Sequence, residues 1–155
     1  MQIPFQFKPQ TEWIPPMDLK DLSDATEIAI DLETCDPNLT TSGSGAINGN
    51  GFVVGIAVAV DGWQGYFPIA HEGGGNLDKR IVLDWFQEVL NTNANKIFHN
   101  AMYDVSWIRA MGLNINGRII DTMIAGSLIN ENRFSYTLDS MGKEFLGFGK
   151  NETNL

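Results

Sequence analysis

The run Gly51-Phe52-Val53-Val54-Gly55-Ile56-Ala57-Val58-Ala59-Val60 carries no charged residue and stops at Asp61-Gly62. It is far shorter than the ~18 apolar residues a membrane-spanning helix needs. Near-continuous apolarity over this length suits a β-strand covered on both faces. Asp61-Gly62 is a hairpin signal, because both central residues of a type I′ turn take φ > 0. Trp63 to Ile69 then reads as the returning strand. A strand covered on both sides requires a layered domain with helices on the sheet's faces.

The rest of the chain supplies those layers. Glu27 to Glu33 reads as a strand from its β-branched residues and its flanks. Leu77 to Leu90 has apolar residues at 77, 81, 82, 85, 86, 89 and 90, the spacing of a one-faced helix. Lys96 to His99 is a short strand, Asn100 to Met111 a helix stopped by Gly112, and Ile119-Ile120 another short strand. Asp121 can cap the helix that follows. A last helix starts at Ser135 or Thr137, runs through Phe145 and ends near Gly147. A meander followed by β-α-β units predicts an α/β fold with a mixed sheet, a three-stranded antiparallel meander plus parallel strands, and helices on its faces. Residues 1–26, rich in Pro and acids, read as an irregular lead-in, and 27–155 as the folded domain. Asp36 to Gly51 reads as a long flexible loop.

At 155 residues the chain suits one domain with one core. No apolar run is long enough to span a membrane, and the N-terminus lacks the pattern of a secretory signal. Cys35 is the single cysteine, so no internal disulfide forms, and a reducing, cytoplasmic setting is the simpler expectation. The net charge of −9 points away from a general nucleic-acid binder. Yet residues 1–36 hold Lys8 and Lys20 against eight acids, while eight basic residues lie from Lys79 onward. A site that holds divalent cations must be locally acidic, so the total leaves a nucleic-acid substrate open.

Two short segments carry chemistry. In Asp31-Leu32-Glu33 the strand period puts both carboxylates on one face. They repel unless a cation lies between them, and a hard ion such as Mg²⁺ or Mn²⁺ prefers oxygen ligands. The same spacing also describes a solvated strand end entering a loop. In Phe98-His99-Asn100-Ala101-Met102-Tyr103-Asp104, Asp104 falls in the first turn of a helix, where it also complements the dipole. Asn100 doubles as an N-cap. His99 has no His or Cys partner at zinc spacing and reads as structural.

Taken together, an apolar strand ending in D-x-E, a hairpin, a helix, a short strand and N-x-x-x-D resemble the DEDD superfamily of 3′-5′ exonucleases. The nearer resemblance is to the proofreading domains of family A DNA polymerases and to RNase D-like exoribonucleases. Ile120-Asp121-Thr122-Met123-Ile124-Ala125 looks like the family's D-T-M-x-x-A segment, and Tyr136-Thr137-Leu138-Asp139-Ser140-Met141 like its S-L-D-x-L helix start. The resemblance runs from about Ile28 to Gly147. It implies an RNase H-like exonuclease fold, with Asp31, Glu33 and Asp104 as catalytic metal ligands for two Mg²⁺ or Mn²⁺ ions, and Asp31 as the bridge. Asn100 would shape the site, and Asp121 would be structural. Leu32 and Met102, each beside a ligand, are the expected walls against which unpaired bases stack. The implied reaction is two-metal hydrolysis that releases nucleoside monophosphates from a single-stranded DNA 3′ end, with a polymerase domain in the same or another chain.

The family's third motif, Y-x-x-x-D or H-x-x-x-D on a later helix, is absent; Tyr136 to Asp139 is one residue short of it. The expectation is therefore a domain incomplete at its C-terminus, with weak or no activity on its own. An RNase D-like exoribonuclease is the alternative within the same chemistry. A non-catalytic scaffold or interaction domain that keeps the fold is the alternative from another class.

Overall fold

The computed structural model describes residues 14–16 and 18–149. Its sheet has five strands: β1 (Glu27–Cys35), β2 (Phe52–Val60), β3 (Trp63–Pro68), β4 (Asn95–Phe98) and β5 (Ile119–Asp121), in the order β3-β2-β1-β4-β5. β1 pairs antiparallel with β2, and β2 with β3. β4 runs parallel to β1, and β5 parallel to β4. This is the expected mixed sheet, an antiparallel meander extended by parallel strands.

Among the described residues six helices join and flank the strands: α1 (Leu39–Ser42), α2 (Gly45–Asn48), α3 (Lys79–Asn91), α4 (Ala101–Ala110), α5 (Thr122–Ile129) and α6 (Leu138–Phe145). α3 begins where Asp78 accepts the Arg80 and Ile81 N–H groups, two residues inside the expected start. Its buried residues Val82, Trp85, Phe86, Val89 and Leu90 follow the predicted apolar stripe, whereas Ile81 is exposed. They pack on Ile28, Ile30, Leu32, Ile56, Val58 and Phe67, with Trp107 and Ile108 of α4 in the same core. Phe67 and Trp85 bring their ring centroids to 4.5 Å. From the lead-in, Leu22 joins the core, and Lys20 accepts a hydrogen bond from the Trp85 indole through its carbonyl.

Three local expectations are corrected. Residues 36–51 are not an unstructured loop. Asp36 accepts the Gly45 N–H with both carboxylate oxygens, which folds the segment back into α1 and α2. The 61–62 turn is not type I′: Gly62 takes φ 71°, but Asn100 is the only non-glycine with positive φ among the described residues, so Asp61 does not. β2 is not covered equally on both sides. Val53, Ile56 and Val58 are buried, while Ala57 and Ala59 on the other face are half-buried and line an open cavity of about 650 Å³.

One buried polar residue was not expected. Lys96, in β4, is 0% exposed, and its ammonium donates to the carbonyls of Thr92, Ala94 and Asn116 at 2.8, 3.0 and 3.0 Å. An ammonium group has three N–H donors, and three carbonyl acceptors within reach are what allow it to be buried at all. They tie β4 to the turns on either side of it.

Candidate active site

Along β1 burial alternates, with Ile28, Ile30 and Leu32 in the core and Ala29, Asp31 and Glu33 exposed on the opposite face. The expected pairing of Asp31 with Glu33 on one face therefore appears in the strand. By the same period Leu32 points the other way; it is 6% exposed and belongs to the core. Its expected place as a wall beside the carboxylates is thus a misreading: adjacency in a strand means opposite faces.

Leu32 enters the site through its backbone instead. β4 pairs with β1 only through Ala29, which leaves the next N–H groups on that edge without a strand partner. The Leu32 N–H donates to Asp104 Oδ1 at 3.0 Å. Asp104, in the first turn of α4, is 3% exposed. The carboxylate thus takes over where the ladder ends, which locks the start of α4 against the Asp31–Glu33 segment. Burial pushes the Asp104 carboxyl up to about 7; the Leu32 N–H opposes the shift and the nearby Asp31 carboxylate adds to it.

The strand bends just past Glu33. The β1–β2 register shifts between Glu33 and Thr34, a bulge. Such bulges re-aim side chains at the ends of paired segments. Tyr103 of α4 fixes this bend, since its hydroxyl bonds Thr34 Oγ1 at 2.7 Å and donates to Asp36 Oδ2 at 3.1 Å.

Asn100 holds the N-cap position of α4 in a left-handed conformation, φ 70° and ψ 56°, but its side chain caps nothing. Asp121 does that work from β5. It accepts the N–H groups of Asn100 and Ala101 at 3.1 and 2.8 Å, and those of Met123 and Ile124 in its own helix at 2.9 and 3.4 Å. One carboxylate therefore caps two helices, consistent with the structural part expected for it. His99 is similarly structural: its Nε2 donates to the Tyr136 carbonyl at 2.8 Å and its Nδ1 meets Thr122 Oγ1 at 2.9 Å. Met102 is 84% exposed at the start of α4, one residue from Tyr103 and two from Asp104.

Sequence reasoning missed two groups on the acidic face. In the sheet, Asp31 pairs with Ala57 and Ala57 with Tyr66, so Tyr66 stands on the same face two strands away. Burial, then Glu33, then Asp31 push the Tyr66 hydroxyl up to about 12. That hydroxyl is bonded to His71 Nε2 at 2.5 Å. Only the register could have revealed this, because Tyr66 is far from Asp31 in sequence.

The donor chemistry fits a divalent cation. Among the described residues the ion pairs are Arg80–Asp84, Arg133–Glu144 and Lys143–Asp139, and none reaches Asp31, Glu33 or Asp104. Burial and the nearby Asp31 carboxylate both favour the protonated form of Asp104. The carboxylates are not gathered around a common centre: no group of three or more His, Cys, Asp or Glu among the described residues is arranged to hold an ion. Asp31 and Glu33 share one face of β1, and Asp104 is hydrogen-bonded to the Leu32 N–H between them.

The model of the 3′-5′ exonuclease family of family A DNA polymerases matches residues 17–155. The chain is 33% identical over its whole length to a DNA-directed DNA polymerase of Pseudomonas phage M6 and covers 24% of that protein. It is 26% identical to DNA polymerase I of Borreliella burgdorferi, over 83% of this chain and 13% of that one. It spans a quarter or less of the length of these relatives. Its fold resembles that of Trypanosoma brucei RNase D, with TM-score 0.63 and 19% identity over 86% of this chain and 44% of the other. It also resembles Brucella melitensis NrnC, with TM-score 0.60 and 20% identity over 86% and 59% of the two chains. The sheet order, the D-x-E strand, the buried aspartate at the start of α4 and the family match lead to one assignment: the chain belongs to the 3′-5′ exonuclease family found in family A DNA polymerases and has the RNase H-like exonuclease fold.

Proposed function

We propose that this chain is the proofreading exonuclease portion of a DNA polymerase and hydrolyses the terminal phosphodiester at the 3′ end of single-stranded DNA, releasing nucleoside monophosphates. The observation that carries the reading is the buried Asp104 bonded to the backbone between Asp31 and Glu33, with no ion pair to any of the three among the described residues. A buried carboxyl whose pKa is raised by burial and by a neighbouring carboxylate is the kind of perturbation that clusters at functional sites.

Asp31, Glu33 and Asp104 would hold the Mg²⁺ or Mn²⁺ ions. When bound, such ions make a water acidic enough to attack a phosphodiester near neutral pH and stabilise the leaving oxygen. The chain's own residues do the rest. Leu32's N–H fixes Asp104, Tyr103 fixes the bend after Glu33, and Asp121 fixes the start of α4. Met102, exposed beside them, is the apolar surface against which a terminal base would rest, and Asn100 lies at the same rim. The bound Mg²⁺ described for Brucella NrnC supports a divalent ion in this fold.

The fourth carboxylate that the resemblance implies has no Y-x-x-x-D or H-x-x-x-D motif to supply it in this sequence. The cavity beside Asp31, lined by Ala57, Ala59, Tyr66, Ile97 and His99, leaves room for another element to bring one close. The exposed Ile124, Leu128 and Ile129 of α5 offer further apolar surface to the remainder of a polymerase. The reading keeps the division into a lead-in, 1–26, and an exonuclease unit, 27–155, of which residues 1–13, 17 and 150–155 lie outside the described residues. No helix among the described residues is long and apolar enough to cross a membrane. The lone Cys35, exposed and unpaired, suits a reducing cytoplasm.

The test is digestion of 5′-labelled single-stranded DNA, and of a matched RNA, with Mn²⁺, with EDTA, and by an Asp31→Ala/Glu33→Ala double variant. The expected result is a DNA ladder shortening from the 3′ end, abolished in both controls. Preferential RNA cleavage would transfer the reading to the exoribonucleases. No cleavage of either, even with added polymerase portion, would leave the scaffold reading standing in its place.

A further inference from the structure

The first turn of α4 grips β1 on both sides of Glu33. Asp104 takes the Leu32 N–H at 3.0 Å, and Tyr103 bonds the Thr34 hydroxyl at 2.7 Å. Successive helix residues point about 100° apart, which lets one turn reach two places on the strand. The β1–β2 register shifts between Glu33 and Thr34, and at such a bulge the ladder is locally disrupted. The tether on Thr34 therefore takes over part of the ladder's work at the very residue that follows Glu33.

The direction of that tether follows from the protons present. Each hydroxyl has one proton, and an ionised carboxylate only accepts. Tyr103 donates to Asp36 Oδ2 at 3.1 Å, so Thr34 is the donor to Tyr103. The bonds run one way, from Thr34 to Tyr103 to Asp36, and each polarises the next. Trp107 meets the Tyr103 ring edge-on, with centroids 6.4 Å apart.

Asp36 in turn belongs to the 36–51 segment. Its two oxygens accept the Gly45 N–H at 3.2 and 3.0 Å. Gly45 is buried, and Ala46 packs against the core. A Cβ on Gly45 would collide with the Asn50 carbonyl oxygen, and one on Gly51, at φ 116°, with the Cys35 carbonyl oxygen. Glycine at these two positions is what lets the segment close on itself and on the end of β1. Among the described residues no ion pair involves Asp36, so neutral donors hold it. We propose that Asp36 is a positioning residue for Glu33. Through Tyr103 and Thr34 it joins the folded 36–51 segment and the bulge into one unit, so that Glu33 takes the direction a ligand needs only while α1 and α2 are folded. The inference rests on the reading of Glu33 as a metal ligand; the coupling between segment and bulge does not.

Two measurements on the full chain separate these parts. The first is the amide ¹H–¹⁵N spectrum in EDTA. Gly45→Ala disturbs the segment without touching Asp36, Tyr103 or Thr34, and should shift or broaden the Glu33 and Thr34 signals while leaving Ile108 in place. Tyr103→Phe keeps the bonds between Asp36 and Gly45 but cuts the tether, and should move Glu33, Thr34 and Gly45. Glu33 and Thr34 signals that stay in place in both variants would overturn the proposal. The second is Mn²⁺ titration by calorimetry. Removing a group that orients a ligand typically weakens metal binding about 10-fold or more, which is the loss expected of Gly45→Ala, Tyr103→Phe and Asp36→Ala. The double variant Asp36→Ala/Tyr103→Phe should lose little more than either single one, because both cut the same tether. In Asp36→Asn the amide oxygen can take the Gly45 N–H and the NH₂ can donate to Tyr103, so most of the affinity should return. Equal losses in Asp36→Asn and Asp36→Ala would mean that Asp36 acts through its charge alone, and wild-type affinity in Tyr103→Phe would equally refute the positioning role. If the wild type and Glu33→Gln alike fail to bind Mn²⁺, the ligand reading of Glu33 falls, and the amide spectrum still decides whether the segment sets the bulge.

Discussion

Asp104→Asn in the metal-free protein is expected to raise stability at alkaline pH while leaving it nearly level in mild acid. Asparagine has almost the same shape, and its Oδ1 can still accept the Leu32 N–H, so packing is held constant and only the charge is removed. In the folded chain burial raises the Asp104 carboxyl from 3.8 to about 7. Between those values the folded state keeps a proton that the unfolded state has lost. Stability therefore falls as pH rises through this window, by about 1.4 kcal/mol per unit, and levels off above the folded value. Between about pH 5 and about pH 8 the wild type should lose about 3 kcal/mol relative to the Asn variant. At roughly 3 °C per kcal/mol for a chain of this size, the gap in Tm should open by on the order of 10 °C. Differential scanning calorimetry in EDTA, run in parallel on both proteins, reads it directly, because every other titrating group is common to the pair. Adding Mn²⁺ at the alkaline end should then recover stability in the wild type and little in the variant. Parallel pH curves for the two proteins would refute the reasoning: Asp104 would then be ionised in the fold at no cost, and the charge surplus inferred at the site would not exist.

Two stability predictions concern groups away from the carboxylates. Asp121→Ala removes the acceptor for four backbone N–H groups at two helix starts, and should cost about 2–3 kcal/mol in urea unfolding, with Asp121→Asn recovering part. A loss below about 0.5 kcal/mol would mean that water replaces it as a cap. Lys96→Met keeps the apolar stem but strands three carbonyls, and should cost about 2 kcal/mol even after the burial penalty on the ammonium is relieved. An equally stable Met variant would show that those carbonyls find other partners.

The elements were legible because each has a local cause. The apolar stripe of α3, the Asp78 and Asp121 caps and the alternation of β1 are set by residues a few positions apart. The errors were local too, and each was decided by something distant or by a rule applied to one neighbour too many. The 36–51 segment looked flexible from its Gly, Ser and Asn content, but Asp36 and Tyr103 hold it. Leu32 looked like part of the site because it lies between two ligands in sequence, although strand period sends it into the core.

The sequence by itself determined that Asp31 and Glu33 share a face, that Asp104 begins a helix, and which family the motifs resemble, because those are matters of spacing within single elements. Tertiary structure decided everything that depends on what comes from elsewhere in the chain. It buried Asp104 against the Leu32 N–H where β4 stops, gave Asp121 a second helix to cap, and surrounded Lys96 with carbonyls. It also brought Tyr66, bonded to His71, into the same sheet row as Asp31 through a register that no local pattern encodes. The physical reason is the same in each case. Periodicity fixes which way a side chain points, but burial, hydrogen-bond partners and the resulting charge state depend on which strands and helices end up as neighbours.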